Sequence, residues 1–294
     1  MTRRNRSRLP PKLVDSPRPG AREGGRPAAG PSLGDQLKRG HVAGRSARFG
    51  REEMVALMRR FAAGAPAVRL GLDPFATLTL AQVEAAVAVV YGWEGDGPRA
   101  RIAAPRTVDA FDSAVTRILE VADTGGGIAF ATARPASLLP LHCALADAAD
   151  HAGATTLQLR ESGPIGAGGR RLRWLDGVAV VTDGVQLLGD DDVHAAEELL
   201  FSLPRPDLVV ADRCFAGVAL NAGIEVVAFA DLDALALAVA AHRGRAVRVV
   251  PLDERRPPAS YAPLRQRLDE LVTAGRRAAT DGLFEQRAGT HTTL

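Results

Sequence analysis

Five short apolar runs, each followed by a helical stretch, limit this chain to one broad class of fold. They are residues 128–131, 178–181, 208–211, 225–229 and 246–250. The first three are unbroken by any polar residue, which fits strands buried on both faces rather than strands with one wet face. Helical spacing of apolar residues follows in 138–150, 193–201, 215–222, 232–242 and 261–274. Such alternation predicts an open, mostly parallel sheet with helices on both faces, a Rossmann-like three-layer α/β sandwich. Earlier in the chain the same spacing predicts helices over 33–42, 51–63, 80–91 and 107–122, a strand over 68–72 and a loop over 92–106. A further strand is expected over 154–159, a glycine-rich connection over 161–169 and a short hairpin arm over 185–188.

The run from Gly125 to Ser137 is the centre of this pattern. Gly125, Gly126 and Gly127 break structure before the strand, and Thr132, Ala133 and Arg134 leave it. Pro135 crowds Arg134 out of the helical region. Ser137 is placed to cap the helix that follows. The turn therefore offers a hydroxyl, a guanidinium and a helix N-terminus, all suited to an anion. An ordinary strand-to-helix connection with no ligand fits the same residues.

The total charge of +3 is unevenly spread. Residues 1–31 hold eight Lys and Arg against two Asp and Glu, so the tail carries +6 and the remainder −3. Rich in Pro and Gly and poor in large apolar residues, 1–31 is expected to be a disordered basic tail. No aromatic residue interleaves its arginines, so specific nucleic-acid binding is not expected. The body, 32–280, is expected to be one α/β domain, and 281–294 a frayed end. With 46% hydrophobic and 24% charged residues the composition is that of a globular protein. No apolar run is long enough to span a membrane. Two cysteines, Cys143 and Cys214, form no disulfide framework and point to a reducing, cytoplasmic setting.

Ligands of open α/β sheets bind beyond the carboxyl ends of the strands. The residues there are Asp73, Thr132, Arg134, Asp183, Asp212, Arg213 and Asp231, with Asp190, Asp191 and Asp192 before a helix. Converging carboxylates and arginines call for counter-charges, a metal or a bound anion. A small phosphorylated metabolite with a divalent metal ion, Mg²⁺ by preference, satisfies that need: Thr132, Arg134, Ser137 and Arg213 for phosphate, Asp73, Asp191, Asp212 and Asp231 for the cation. Asp212, Asp183 and His142 are the candidates for catalysis by metal-bound water. Capping of the following helix is an equal role for Asp190–Asp192 and Asp231, turn formation for Asp73, and a structural place for His142. The Walker phosphate loop and the Gly-Xaa-Ser-Xaa-Gly elbow are absent.

From about Gln36 to Leu268 the order of segments resembles an uncharacterised actinobacterial phosphatase family. The runs that carry the likeness are Ile128-Ala-Phe-Ala-Thr-Ala-Arg-Pro-Ala-Ser-Leu-Leu-Pro-Leu-His142 and Pro206-Asp-Leu-Val-Val-Ala-Asp-Arg-Cys-Phe-Ala-Gly217. Leu70-Gly-Leu-Asp73, Ala230-Asp231 and Val250-Pro-Leu-Asp253 support it. The resemblance implies a Gly-His-Pro run where Ala133-Arg134-Pro135 stand here. It also implies a His-Xaa-His pair at Gly189-Asp190-Asp191 and an Asp-His pair at Asp212-Arg213. Histidines of that kind serve a metal or donate protons. Asp212, Asp231 and His142 match the family pattern. Two functions remain open: a phosphatase-like enzyme with a carboxylate-held metal, or a silent relative that binds a phosphorylated ligand or a protein. A Rossmann-like nucleotide binder has little support, because the glycine run precedes the strand.

Removing residues 1–31 is expected to leave the thermal midpoint of the remaining chain nearly unchanged. A large drop in a calorimetric melt would show that the tail packs on the body.

Overall fold

A sheet with two apolar faces requires helices above and below it. In the computed structural model that requirement is met by helices that alternate with most of the strands of the main sheet. Described are residues 30–65, 69–73, 75, 78–159, 163–165, 169–189 and 191–289, with side chains as far as residue 277. In chain order the first are α1 (Leu33–Arg39), β1 (Gly44–Gly50), α2 (Arg51–Ala62), α3 (Leu80–Tyr91), β2 (Arg99–Ile102) and α4 (Ala104–Asp123). The central unit is β3 (Gly127–Ala131) and α5 (Pro135–His151), then β4 (Thr155–Thr156), β5 (Arg171–Leu175), β6 (Val178–Thr182) and β7 (Leu187–Leu188). Next come α6 (Val193–Ser202), β8 (Leu208–Asp212), α7 (Arg213–Asn221), β9 (Glu225–Ala230), α8 (Leu235–His242) and β10 (Val247–Pro251). A 3-10 turn (Pro258–Tyr261) leads into α9 (Ala262–Gly289).

The main sheet runs β10-β9-β8-β3-β6-β5, parallel except that β5 and the short β7 both pair antiparallel with β6. One flank of β3 is shared: β4 pairs with its start at Gly127 and β6 with its end at Phe130 and Ala131. After β3 the chain builds towards β6, then α6 carries it back across β3 to β8. The winding therefore reverses between β3 and β8, which is where an open sheet leaves a crevice at its carboxyl edge. Helices α1, α4, α5 and α9 pack together on one side, and α2, α3, α6, α7 and α8 on the other. Helix α8 is apolar all round and buried from Leu235 to Ala240, since α3 covers the side that the sheet does not.

The doubly covered parallel sheet agrees with the sequence. Several local expectations do not hold. The strand over 68–72 is absent among its described residues: Arg69 to Gly71 form a turn, with Leu70 in the left-handed region at φ 55°. Leu70 and Leu72 are apolar because they are buried, not because they lie in a sheet. The loop over 92–106 contains β2, which pairs with β1 as an antiparallel ribbon. The strand over 154–159 shrinks to β4. Strand β5 lies where no strand is expected: Arg171 and Arg173 alternate with the buried Leu172 and Trp174, as an edge strand with one wet face should. Helix α9 runs to Gly289, past the expected 261–274. The expected tail, 1–31, lies outside the described residues except at Gly30 and Pro31. From Ser32 onward the chain forms one compact unit. Among the described residues no helix is long and apolar enough to cross a membrane.

Helix α7 meets the turn at Leu70 without clearance. A Cβ on Gly217 would lie 2.0 Å from the Leu70 carbonyl oxygen. Gly217→Ala is therefore expected to cost about 1–3 kcal/mol, the usual penalty of overpacking. Denaturant unfolding measures it, and an unchanged midpoint would show that the turn yields freely.

Candidate functional site

Strands β3 and β8 end side by side, and the first polar residues beyond their apolar runs meet. Asp212 closes β8 with no exposure. Its Oδ1 accepts from the Ala133 N–H at 2.7 Å, and its Oδ2 accepts a short hydrogen bond from the Thr132 hydroxyl. Thr132 Oγ1 in turn accepts from the Arg134 N–H at 2.9 Å, which sets the turn before Pro135 opens α5. Ser137, in the first turn of that helix, donates to the Glu254 carbonyl at 2.5 Å. His142 lies one turn further on, fully buried, with Nε2 3.6 Å from Asp212 Oδ2 and neither ring nitrogen hydrogen-bonded. Its ring packs edge-on against Phe229, centroids 5.1 Å apart.

A second layer consists of guanidinium–carboxylate contacts. Arg213, at the start of α7, takes a left-handed φ of 51°. That conformation is unfavourable for a residue with a Cβ, and surrounding contacts must hold it. They do: Arg213 Nε and one terminal nitrogen grip both oxygens of Asp191 at 2.9 and 2.6 Å. The other terminal nitrogen lies 2.6 Å from Asp233 and 3.2 Å from Glu254. Arg134 reaches Asp191 at 3.3 Å and Glu254 at 3.2 Å. Arg48, on β1, bonds Asp231 at 2.7 Å and Asp233 at 3.0 Å, its guanidinium 4.7 Å from the Phe49 ring centre. The Asp231 carbonyl accepts from the buried Tyr91 hydroxyl at 2.7 Å.

Charge in this layer is tuned by burial and by neighbours. Burial pushes Glu254 up to about 8; Asp233 and Asp212 add to it, while Arg213 and Arg134 oppose it. One Glu254 oxygen, Oε2, is buried without a partner, which suits a protonated acid. Burial likewise pushes Asp231 up to about 7, with the charges of Asp233 and Asp253 adding and Arg48 opposing. For Asp191 and Asp233 burial pulls upward too, but the arginines prevail and both carboxyls fall below the usual range. Arg213 is raised: burial disfavours its charge, and Asp191, Glu254 and Asp233 more than restore it.

The structure thus brings together Thr132, Arg134, Ser137, His142, Asp191, Asp212, Arg213 and Asp231. Two sequence candidates stand apart. Asp183 is exposed and accepts from the Val185 and Gln186 N–H groups, both at 2.8 Å, closing the β6–β7 turn. Asp73 is exposed, and its N–H meets the Asn221 side chain at the far end of α7 from Arg213. Asp192 caps α6 through the Ala195 N–H at 3.1 Å, and Asp190 lies outside the described residues. The four expected metal ligands do not form one set. Asp73 is remote, Asp212 is taken by Thr132 and Ala133, Asp191 by two arginines, and Asp231 by Arg48 and the Leu232 N–H. Among the described residues no three His, Cys, Asp or Glu side chains group as a metal site. Sequence reasoning missed Arg48, Asp233 and Glu254 as site residues. Glu254 had a signal, since it follows β10 much as Asp212 closes β8. Arg48 had none, because no apolar run marks β1.

An α/β sandwich with its polar cluster at the switch point is the frame in which comparison with known proteins has meaning. The chain belongs to the Phosphatase family, whose model matches residues 29–275. It is similar to Phosphatase SCO2771 of Streptomyces coelicolor, 33% identical over 153 residues. That stretch covers 50% of this chain and 58% of the relative, so the match spans half of this chain and little more than half of the relative.

Glu254 gives the site a pH signature. Its folded-state pKa of about 8 lies above the ordinary 4.5, so the folded chain binds more protons than the unfolded one between those values. The stability that it contributes is complete below about 4.5 and is lost as pH rises through about 8. Glu254→Gln, which cannot ionise, is expected to melt higher than the parent at pH 8.5 by more than it does at pH 6. An equal difference at both pH values would show that Glu254 does not titrate in this window.

Proposed function

We propose that this chain binds a small phosphorylated molecule between Arg134 and Arg213 and hydrolyses it at most slowly. One observation carries the reading. Two guanidiniums, from the ends of β3 and β8, converge at the switch point on a single anionic group, the Asp191 carboxylate. Paired arginines of this kind bind oxyanions in two-pronged fashion. Membership of the Phosphatase family supports a phosphoryl group as the anion.

The low turnover follows from which residues make the cluster. Arg134, Asp191 and Arg213 stand at three of the four places where the resemblance implies histidines, Gly189 being the fourth, and here the three bond to one another. Arginine stays charged and cannot exchange a proton near neutral pH. General acid–base help is worth about 10²- to 10⁴-fold in rate, so its loss slows chemistry while leaving binding in place. His142, the histidine that remains, is enclosed beside Asp212.

Calorimetric titration with inorganic phosphate and with a phosphomonoester is expected to show binding that Arg134→Ala weakens. Turnover of p-nitrophenyl phosphate is expected to stay far below the roughly 10 s⁻¹ of an ordinary enzyme, with or without Mg²⁺. Metal-dependent turnover near that rate would favour the enzymatic reading, and absence of binding would remove the phosphate reading.

A further inference from the structure

We infer that Asp191 is an internal anion that closes the Arg134–Arg213 site, and that a phosphoryl ligand enters by displacing it. The inference rests on the proposed function and adds how the site is regulated. In the closed form the Asp191 carboxylate sits where a phosphate would. Its Oδ2 accepts from one terminal nitrogen of Arg213 at 2.6 Å, and its Oδ1 from Arg213 Nε at 2.9 Å and from Arg134 at 3.3 Å.

Each arginine keeps other partners when Asp191 leaves. Arg134 keeps Glu254 through Nε at 3.2 Å and the Ala133 carbonyl at 2.9 Å. Arg213 keeps Asp233 at 2.6 Å and Glu254 at 3.2 Å through its other terminal nitrogen. Once Asp191 leaves, the donor edge of Arg213 stays aimed at the same point, a pre-organised clamp with its anion removed. Exchange of one anion for another also preserves the charge balance of a buried cluster, which simple loss of Asp191 would not.

Asp191 is in addition the member of this group best placed to leave. Its side chain is 31% exposed, against 9% for Arg134, 7% for Arg213 and none for Glu254. It lies in the link between β7 and α6. The next residue, Asp192, is rooted as the cap of α6, so the helix does not move with it. A contact from Arg134 to the Gly189 carbonyl at 3.4 Å also ties this link to the site.

A site that is mostly closed binds with its intrinsic affinity reduced by the open fraction. Asp191→Asn keeps the shape and removes the charge, and it is expected to tighten inorganic phosphate by about tenfold if one molecule in ten is open. Asp191→Glu, which retains the anion, is expected to stay close to the parent. In the parent protein, saturating phosphate is expected to speed hydrogen exchange at the Leu188, Gly189 and Asp191 amides, as the link is released. That measurement needs no variant and decides the matter should Asp191→Asn fail to fold. Binding by the parent with equal or weaker binding by Asp191→Asn, or slower exchange in the link, overturns the closing role and leaves the proposed function intact. Absence of phosphate binding by parent and Asp191→Asn alike overturns both.

Discussion

A carboxylate at the end of a fully buried strand must be matched where it stands, because an unpaired buried charge costs several kcal/mol. Asp212 is that carboxylate, and much of the local structure follows from satisfying it. The Thr132 hydroxyl and the Ala133 N–H fill its two oxygens and draw the end of β3 against the end of β8. The Arg134 N–H then completes Thr132, which shapes the turn ahead of Pro135 and aims the Arg134 side chain at Glu254 and Asp191. The crevice that a doubly wound sheet leaves at its switch point is thereby lined with polar groups already tied to one another.

Outward from Asp212 the same constraint repeats at each step. Arg213 accepts an unfavourable backbone conformation, and three acids hold it there. Acids gathered so closely compete for the guanidiniums, which is why burial leaves Glu254 and Asp231 with raised pKa values while Asp191 and Asp233 stay ionised. An arginine in place of a histidine would be an uncompensated charge in such a place. Arg134 and Arg213 occur together with the Asp191 carboxylate that bridges them and with Asp233, which adds a second negative charge at Arg213, so these residues form one electrostatic unit.

The cluster also joins distant parts of the chain. Arg48 reaches Asp231 and Asp233 from β1, so the two-stranded ribbon outside the main sheet is tied to the carboxyl ends of the central strands. The Asp253 N–H bonds the Val42 carbonyl at 2.8 Å, which anchors the segment before that ribbon to the end of β10.

The amino-acid sequence by itself determined the layered fold, because strands buried on both faces leave unbroken apolar runs that no other architecture needs. It also placed Thr132, Arg134, Asp212, Arg213 and Asp231 at one edge of the sheet, since strand ends in a parallel sheet point the same way. Leu70 and Leu72 misled as a strand because burial in a turn and burial in a sheet select the same side chains. Strands β2 and β5 escaped because strands with a wet face carry arginine at alternate positions, and β1 because it holds no apolar run. Which acid meets which arginine was decided only by tertiary structure. Asp183 and Asp191 read alike along the chain, yet one closes an exposed turn and the other enters a guanidinium pair. Arg48 joins acids about 180 residues away, a distance across which no local pattern of side chains carries information. Periodicity records how much of each side chain is buried; the choice of partner depends on how the packed elements bring charges within reach, and that is a property of the folded chain alone.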